Sequence, residues 1–458
     1  MSMFELIDSL KIQVVKKTTI WLQNLKLKIQ NFGRVKTRVS PRFIQFSDFF
    51  WCDKYLSILG YSVIQESQVN ENRQKNLCFV TMAVSVLYVA LLMFSFVLSV
   101  LNLMDGDNLF IAIENIALSG AVFLLILEWY LLLHNGHEKF MKIMAKVDEH
   151  YPHNGIDQVE FNTEKYLKWL KIITRIHLVL TWSAHIQFPL MPFLHQIYGW
   201  MRSKDIAWEH VMAINLPFDT MHPLFYWPKI LYEFWLLLYM GLIFIGNDML
   251  YTTLTHLVTM ELNNLAQIIS EIDWDDEDEE GEKKAIDEIK KLSGIHQQLI
   301  EVTDELDDIY SPLLFINAFS CLLMLCTIAF LTVVSKISMI SMIFLIIKNC
   351  ELKSGGGHYF MIKYTISVVA IAWKFFIQCH FGNALTDASL KVSDGVYKSA
   401  WHKASSKYRK LALLFMMRAQ KAQKITGWKF IDINMETFYW FIQTAHSYYS
   451  FLSGVYDS

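Results

Sequence analysis

The sequence lacks the residue patterns on which most enzymes and metal proteins depend. Its six cysteines form no Cys-x-x-Cys pair, so neither a disulfide framework nor a zinc site is indicated. No P-loop, Gly-x-Gly-x-x-Gly motif or Ser/His/Asp set is recognisable, and His185, His195 and His380 lack the spacing of metal ligands. The net charge of −3 gives no reason to expect a nucleic-acid partner. We therefore predict a protein with no enzyme activity, no cofactor and no bound metal.

Signals for export are also missing, whereas apolar residues are abundant. Lysines between Lys11 and Lys28 interrupt any apolar core of a signal peptide, and the sequence has no Asn-x-Ser/Thr glycosylation site. Hydrophobic residues make up 53% of the 458 residues, aromatic residues 14%, and the mean hydropathy is +0.28. This composition is typical of a polytopic membrane protein with aromatic belts at the two interfaces.

Seven segments are long and apolar enough to be predicted as membrane helices, for which about 20 mostly apolar residues are needed. The first contains no charged residue, and the second contains only two. The seven segments are Leu77–Met104, Leu109–His134, Ile176–Trp200, Tyr226–Met249, Pro312–Ser335, Tyr359–Phe381 and Thr437–Tyr456.

The distribution of lysine and arginine predicts the orientation. Twelve of these residues lie in residues 1–76 and ten lie between Lys391 and Lys429, whereas the loop Asp105–Asn108 has none. Because basic residues concentrate on the cytoplasmic side, the N-terminus is expected inside the cell. Seven spans then place the C-terminus outside. This orientation is opposite to that of a G-protein-coupled receptor.

The predicted fold is an all-α polytopic membrane protein with seven transmembrane helices and a cytoplasmic helical anchor. Apolar residues at helical spacing, from Ile286 to Val302, indicate that the fourth and fifth helices continue into the cytoplasm, joined by a solvated acidic loop at Asp273–Glu282. The predicted segments are a cytoplasmic region 1–76; helices one to five over 77–335, with the cytoplasmic extension at about 250–311; an outer loop 336–358; helix six over 359–382; the anchor region 383–433; and a final helix 434–458.

Three groups of residues have an order and spacing that are specific in combination, although each is weak alone. They precede the fourth span, precede the fifth span and end the chain. They read Leu216-Pro217-Phe218-Asp219, Pro223 and Phe225-Tyr226; Ile295-His296-Gln297 and Ile309-Tyr310-Ser311-Pro312; and Phe381-Gly382-Asn383, Ser389, Tyr397, Trp401, Met417-Arg418-Ala419-Gln420 and Ser447-Tyr448-Tyr449-Ser450-Phe451-Leu452.

Together these residues resemble the insect odorant receptor family, over roughly Pro41 to Ser458. The resemblance implies an odorant-binding subunit of a ligand-gated, non-selective cation channel in the plasma membrane. Its implied partners are a small volatile organic ligand, the lipid bilayer and a shared co-receptor, with which it would form a heterotetramer. Three stretches depart from the family pattern: residues 1–40, the acidic run, and residues 336–357.

The resemblance also implies positions for the site residues. Odorants are small and mostly apolar, so an aromatic cavity with few polar groups is expected in the outer half of helices two, three, four and six. The ligand candidates are Ile111, Glu114, Asn115, Leu118, Ala184, Gln187, Phe188, Tyr232, Trp235, Phe360, Lys363 and Tyr364. The pore or gate candidates are Ser447, Phe451, Gly454 and Val455, and the anchor candidates are Trp401, Tyr408, Arg418 and Gln420.

Other interpretations of these elements remain open from the residues alone. Hydroxyls in the final span commonly bond to their own helix, and the basic helix after Trp401 fits the inner membrane surface as well as a subunit contact. Glu114 with Lys363, and Glu128 with Lys374, lie at matched depths and predict ion pairs, with lysine snorkelling or a polar floor to the pocket as alternatives. A gustatory receptor channel and, less favoured, a G-protein-coupled receptor are the alternative functions.

Overall fold

The computed structural model describes residues 43–50, 90, 94, 136–201, 223–272, 279–334 and 357–456. Contacts divide the chain into two units, residues 1–44 and 45–458. Only Phe43 and Ile44 of the first unit are described. All described helices and strands belong to the second unit.

The described part of the second unit is almost entirely helical, which confirms the predicted all-α class. The exceptions are two short 3₁₀ turns, at Phe46–Phe49 and Trp401–Lys403, and an unpredicted antiparallel hairpin of strands β1 (Thr426–Gly427) and β2 (Ile431–Asp432). The helices are α1 (Gly136–His150), α2 (Gly155–Glu160), α3 (Thr163–Met201), α4 (Pro223–Ser270), α5 (Glu279–Val334), α6 (Gly357–Lys398), α7 (Ser406–Ala419) and α8 (Met435–Tyr456).

Helices α4, α5 and α6 are much longer than a bilayer requires. They contain 48, 56 and 42 residues, which correspond to about 63–84 Å at a rise of about 1.5 Å per residue, against about 30 Å of hydrocarbon. Within the described residues, three helical stretches are long and apolar enough to cross a membrane: Pro228–Ser270, Gly281–Cys326 and Ile366–Lys403. The predicted third, fourth, sixth and seventh spans lie within α3, α4, α6 and α8, and the fifth lies within α5 except for its last residue, Ser335, which is outside the described residues. Only Ala90 and Phe94 of the first span are described, both as helix, and the second span lies outside the described residues.

Side-chain caps define where the shorter helices begin. Asn154 accepts a hydrogen bond from Ile156 N at 3.2 Å at the start of α2, and Ser405 accepts one from Tyr408 N at 3.3 Å at the start of α7. Asn434 accepts one from Thr437 N at 2.9 Å ahead of α8. Each cap satisfies an amide that has no carbonyl partner within its helix.

The apolar stripe at the start of α5 packs inward, as its helical spacing predicts. Its members Ile286, Ile289, Leu292, Leu299 and Val302 are all buried, and only Ile295 is half-buried. The acidic loop is shorter than predicted, because Glu279–Glu282 form the first turn of α5, where the positive end of the helix dipole favours carboxylates. The rest of that acidic run, residues 273–278, lies outside the described residues.

Two glycines allow backbones to approach closely. A Cβ on Gly395 of α6 would lie 2.5 Å from the carbonyl oxygen of Ala266 in α4. Gly382 lies earlier in the same helix, and a Cβ there would lie 2.2 Å from the carbonyl oxygen of Ile433, just before α8. Helix α6 therefore touches α4 on one side and the start of the last helix on another, with no room for a side chain at either contact.

Candidate functional site

The described ligand candidates lie on α3 and α4. Ala184 and Gln187 of α3 are buried, and Gln187 Nε2 donates a hydrogen bond of 3.0 Å to Ser367 Oγ, which links α3 to α6. On α4 the rings of Tyr232 and Trp235 lie 6.2 Å apart. The side chains of the remaining candidates are not described. Phe188, Phe360, Lys363 and Tyr364 lie on described helices, whereas Ile111, Glu114, Asn115 and Leu118 lie outside the described residues.

The described ligand candidates Ala184, Gln187, Tyr232 and Trp235 are named the candidate pocket. From Trp235, aromatic rings continue along α4 towards its C-terminal end. The ring of Trp235 stacks on that of Tyr239 with centroids 5.4 Å apart and planes at 13°. Trp235 is 41% exposed, whereas Tyr239 is buried. The three rings of Tyr232, Trp235 and Tyr239 form a continuous apolar surface of the kind that binds small aromatic or aliphatic molecules.

Helix α8 has one buried face and one exposed face. Phe441 is buried, and its ring stacks on Phe375 of α6 with centroids 5.1 Å apart. Phe438, one turn earlier, contacts Phe376 of α6 at 5.4 Å. These aromatic contacts fix which side of α8 faces the rest of the subunit.

The pore candidates Ser447, Phe451 and Gly454 lie on the opposite face of α8. At 100° per residue, Ser447, Phe451 and Gly454 fall within one narrow stripe, which continues back through Gln443 and Trp440. Phe451 is 67% exposed, and a Cβ on Gly454 would meet nothing within 4 Å. Val455 continues the helix, but its side chain is not described. Apart from the contact between the Trp440 and Phe441 rings, 5.2 Å apart within α8 itself, this stripe has no partner in the described part of the subunit.

Two hydroxyl groups on α8 bond to carbonyl groups of their own helix, which is the alternative to lining a pore. Thr444 Oγ1 donates to Trp440 O at 2.8 Å, and Ser450 Oγ donates to His446 O at 3.0 Å. Both hydroxyls are therefore satisfied by their own helix rather than reserved for an ion path.

The anchor candidates surround helix α7. Tyr408 is buried, and burial together with the nearby Glu288 carboxylate raises the pKa of its phenol. Arg418, at the end of α7, is half-buried, whereas Gln420 is exposed and caps the helix by donating its N–H to Met416 O at 2.9 Å. Trp401 lies half-buried in the 3₁₀ turn before α7.

The hairpin after α7 binds α5 through one buried carboxylate. Asp307 is 4% exposed and accepts hydrogen bonds from Thr426 N at 2.6 Å and from Thr426 Oγ1 at 3.0 Å. Lys429 forms ion pairs with Asp307 and, at 2.9 Å, with Asp308. Partial burial lowers the pKa of Lys429, but its hydrogen bonds to these two carboxylates outweigh that effect, so the pKa is raised. The hairpin that precedes α8 is therefore tied to α5.

The turn of the hairpin adopts a backbone conformation that ordinary residues disfavour. Trp428 and Lys429 have φ values of 50° and 60°, and Phe430 N donates to Gly427 O at 3.0 Å. Two consecutive positive φ values define a type I′ turn, which Asn-Gly would adopt more easily. Contacts offset the cost: Trp428 N donates to Ser311 O at 3.0 Å, and the Trp428 ring packs edge-on against Phe315 at 5.6 Å.

A second group of polar side chains, the polar cluster, joins α3, α4 and α6 below the candidate pocket. Asp248 Oδ2 lies 3.3 Å from His177 Nε2 and 3.3 Å from Lys374 Nζ. Gln378 Nε2 donates to Asp248 Oδ1 at 3.2 Å, and the Lys374 ammonium lies 4.4 Å from the centre of the Phe244 ring. The described carboxylate partner of Lys374 is thus Asp248, whereas Glu128, predicted as its partner, lies outside the described residues.

The sequence contains one signal for each of these two polar contacts, an acidic residue among apolar ones. Asp248 is an acidic residue at the inner end of an apolar span, a position at which a charge is costly without a partner. Asp307 is a charged residue on a buried and otherwise largely apolar face of α5. In each case the partner is distant in sequence, so the acidic residue alone does not identify it.

The chain is similar to known proteins both in sequence and in structure. The sequence model of the family described as 7tm odorant receptor matches residues 108–348 and 351–446. Odorant receptor 49a of Drosophila melanogaster is 22% identical, over 66% of this chain and 70% of its own length, and odorant receptor 85c of the same organism is 21% identical, over 69% and 75%. Among solved structures, the insect olfactory receptor OR5 from Machilis hrabei in complex with eugenol superimposes with a TM-score of 0.66 at 13% identity, over 88% of this chain and 97% of that chain.

Proposed function

The chain belongs to the 7tm odorant receptor family, and on this premise we propose that it is the odorant-binding subunit of a ligand-gated, non-selective cation channel. The subunit would lie in the plasma membrane with seven spans, an inner N-terminus and an outer C-terminus. A small volatile would bind in the outer half of the helix bundle and open the pore. The observation that carries this proposal is the two-faced last helix.

The last helix supports a pore role because one side is packed and the other is unpartnered. Phe438 and Phe441 hold it against α6. The opposite stripe offers Gln443 and Ser447 followed by Phe451, which is polar surface leading to an apolar constriction. Repeated around a central axis, a ring of such apolar side chains would close the path by dewetting, and a small outward rotation would rewet it.

The candidate pocket supports a small, largely apolar ligand. Tyr232, Trp235 and Tyr239 supply ring surfaces, while Gln187 supplies a buried amide held by Ser367. OR5 from Machilis hrabei was solved with eugenol, a small phenolic aromatic molecule. We therefore propose small aromatic volatiles as the first ligand class for this chain.

The anchor supports assembly with a second type of subunit, the shared co-receptor. Around α7 and the hairpin, large apolar side chains are exposed in the isolated subunit, including Met417 at 68% and Phe430 at 82%. An apolar set of this kind at the ends of long packed helices is suited to contacts between subunits. We propose a heterotetramer built through this surface, with the co-receptor copies contributing to the pore.

Co-expression tests the proposed function directly. The chain, the co-receptor and both together would be expressed in cells that lack odorant receptors, and currents would be recorded over a panel of volatile aromatic and aliphatic compounds. We expect an odorant-evoked cation current that needs both subunits and whose ligand preference follows this chain. Currents that depend on G proteins, or an unchanged ligand preference when this chain is replaced by another tuning subunit, would contradict the proposal.

A further inference from the structure

We propose that the polar cluster of His177, Asp248, Lys374 and Gln378 transmits ligand binding to the pore helix, by forcing α3, α4 and α6 to move together at one level. The residues are positioning residues for gating, since their described contacts are with one another, with the Phe244 ring and with Tyr251. This inference rests on the proposed channel function and adds the route by which the pocket controls the pore.

The polar cluster is buried and draws on all three helices. His177 of α3 is 2% exposed and Asp248 of α4 is 4% exposed, while the Lys374 side chain of α6 is 14% exposed. One carboxylate therefore accepts a hydrogen bond from the Gln378 amide and lies 3.3 Å from both the ammonium of α6 and the imidazole of α3. Tyr251 of α4 also donates to Gln378 O at 3.3 Å, one turn closer to the anchor.

The cluster lies between the candidate pocket and the anchor. Helix α3 runs antiparallel to α4, because Tyr166 O meets His256 Nε2 near one end, whereas Trp182 packs over Gly241 near the other. The candidate ligand residues therefore lie on the same side of the cluster in α3, α4 and α6, about 10–24 Å away along the helix axes at a rise of about 1.5 Å per residue. Any displacement of these helices at the pocket reaches the cluster next.

The next residues of α6 contact the pore helix. Lys374 is followed directly by Phe375 and Phe376, whose rings pack against Phe441 and Phe438 of α8 at 5.1 Å and 5.4 Å. One turn of α6 thus carries the cationic member of the cluster on one face and the contacts to α8 on the other. A shift of this turn with α3 and α4 would therefore move α8.

Electrostatics makes the polar cluster resistant to separation. Two opposite charges 3.3 Å apart attract strongly where water is excluded, and pulling them apart leaves each charge buried without compensation. Packed apolar side chains, by contrast, slide past one another at small cost. The ion pair thus holds the three helices together at this level. With apolar contacts alone, a displacement of one helix on ligand binding would not be passed on to the other two.

Paired neutral substitutions separate transmission from folding. Lys374→Met and Asp248→Asn would be made singly and together, because each single change leaves an uncompensated charge while the double change leaves none. The same receptor with the co-receptor would be measured for surface labelling, ligand-independent current and the dose–response of an odorant that activates the wild type. Glu128→Gln in the Lys374→Met background tests whether the rescue is specific to Asp248.

We expect each single variant to lose surface labelling about tenfold, and the double variant to recover it. Among recovered receptors, the odorant-evoked current per labelled receptor should fall about 5-fold or more, the usual lower range of coupling between sites, with ligand-independent current unchanged. His177→Phe should keep surface labelling and show a smaller loss.

Four results would overturn the inference: normal labelling of the single variants, rescue by Glu128→Gln instead of Asp248→Asn, wild-type dose–response in the double variant, or raised ligand-independent current. The matched control is the half-exposed interhelical pair Lys146–Glu305, 2.7 Å apart, whose double neutralisation as Lys146→Met and Glu305→Gln should change neither quantity. Absence of any odorant-evoked current from the wild type with its co-receptor would refute the proposed function itself, which is a separate outcome.

Discussion

Removing the carboxylate of Asp307 should release the hairpin that precedes the last helix. In Asp307→Ala the Thr426 amide loses a charge-assisted hydrogen bond of 2.6 Å, worth about 1.5–3 kcal/mol, and the Thr426 hydroxyl loses a second bond of about 1 kcal/mol. Lys429 adds little, because its side chain is 59% exposed and regains water. The expected loss of stability is about 2–4 kcal/mol.

Asp308→Asn is the matched control for this prediction. Asp308 is the next residue, pairs with the same Lys429 at 2.9 Å and has a side chain that is 72% exposed, so neutralising it should cost at most about 1 kcal/mol. Thermal denaturation of detergent-solubilised receptor, followed by fluorescence-detected chromatography, compares the two. Asp307→Ala should lower the midpoint temperature clearly, and Asp308→Asn should leave it near wild type. Equal midpoints for the two variants would refute the reasoning.

Two further predictions concern α6 and α8. Gly382→Ala should abolish surface labelling, since its Cβ would lie 2.2 Å from the backbone oxygen of Ile433, which no side-chain rotation relieves; Gly294→Ala, with nothing within 4 Å, should label normally. Phe451→Ala, expressed with the co-receptor, should raise ligand-independent current and alter block or ion selectivity, because it widens the proposed constriction, while Phe451→Leu should stay close to wild type. Unchanged current, block and selectivity in Phe451→Ala would exclude it from the gate.

Much of the helical architecture could be predicted from the sequence because its signal is local. Apolar length and a 3.6-residue period are properties of each segment alone, and the stripe from Ile286 to Val302 packs inward as its spacing predicts. Helix α5 includes the last four residues of the predicted acidic loop, because a run of acidic residues is typical of a solvated loop as well as of a helix start. The helix dipole instead stabilises Glu279–Glu282 in the first turn.

The polar contacts could not be predicted in the same way, because they depend on pairs of distant residues. Asp307 and Thr426 are 119 residues apart, and the Gln378 amide binds a carboxylate 130 residues earlier. Matched depth predicts Glu128, which lies outside the described residues, as a partner for Lys374, but depth alone does not identify the described partner Asp248 on α4. The hairpin was also missed, since Trp428 and Lys429 are poor residues for the turn that they form, and tertiary contacts override their preference.

The order of synthesis gives the hairpin contact a consequence for biogenesis. The carboxylate of Asp307 is translated before Thr426 and Lys429, so more than a hundred residues, including the complete helices α6 and α7, must follow before its partners exist. Until then its acidic and apolar groups are available to chaperones or to other nascent chains. We therefore expect the proposed assembly to become possible only after the hairpin has been synthesised, and we expect chains shortened before it to be retained and degraded.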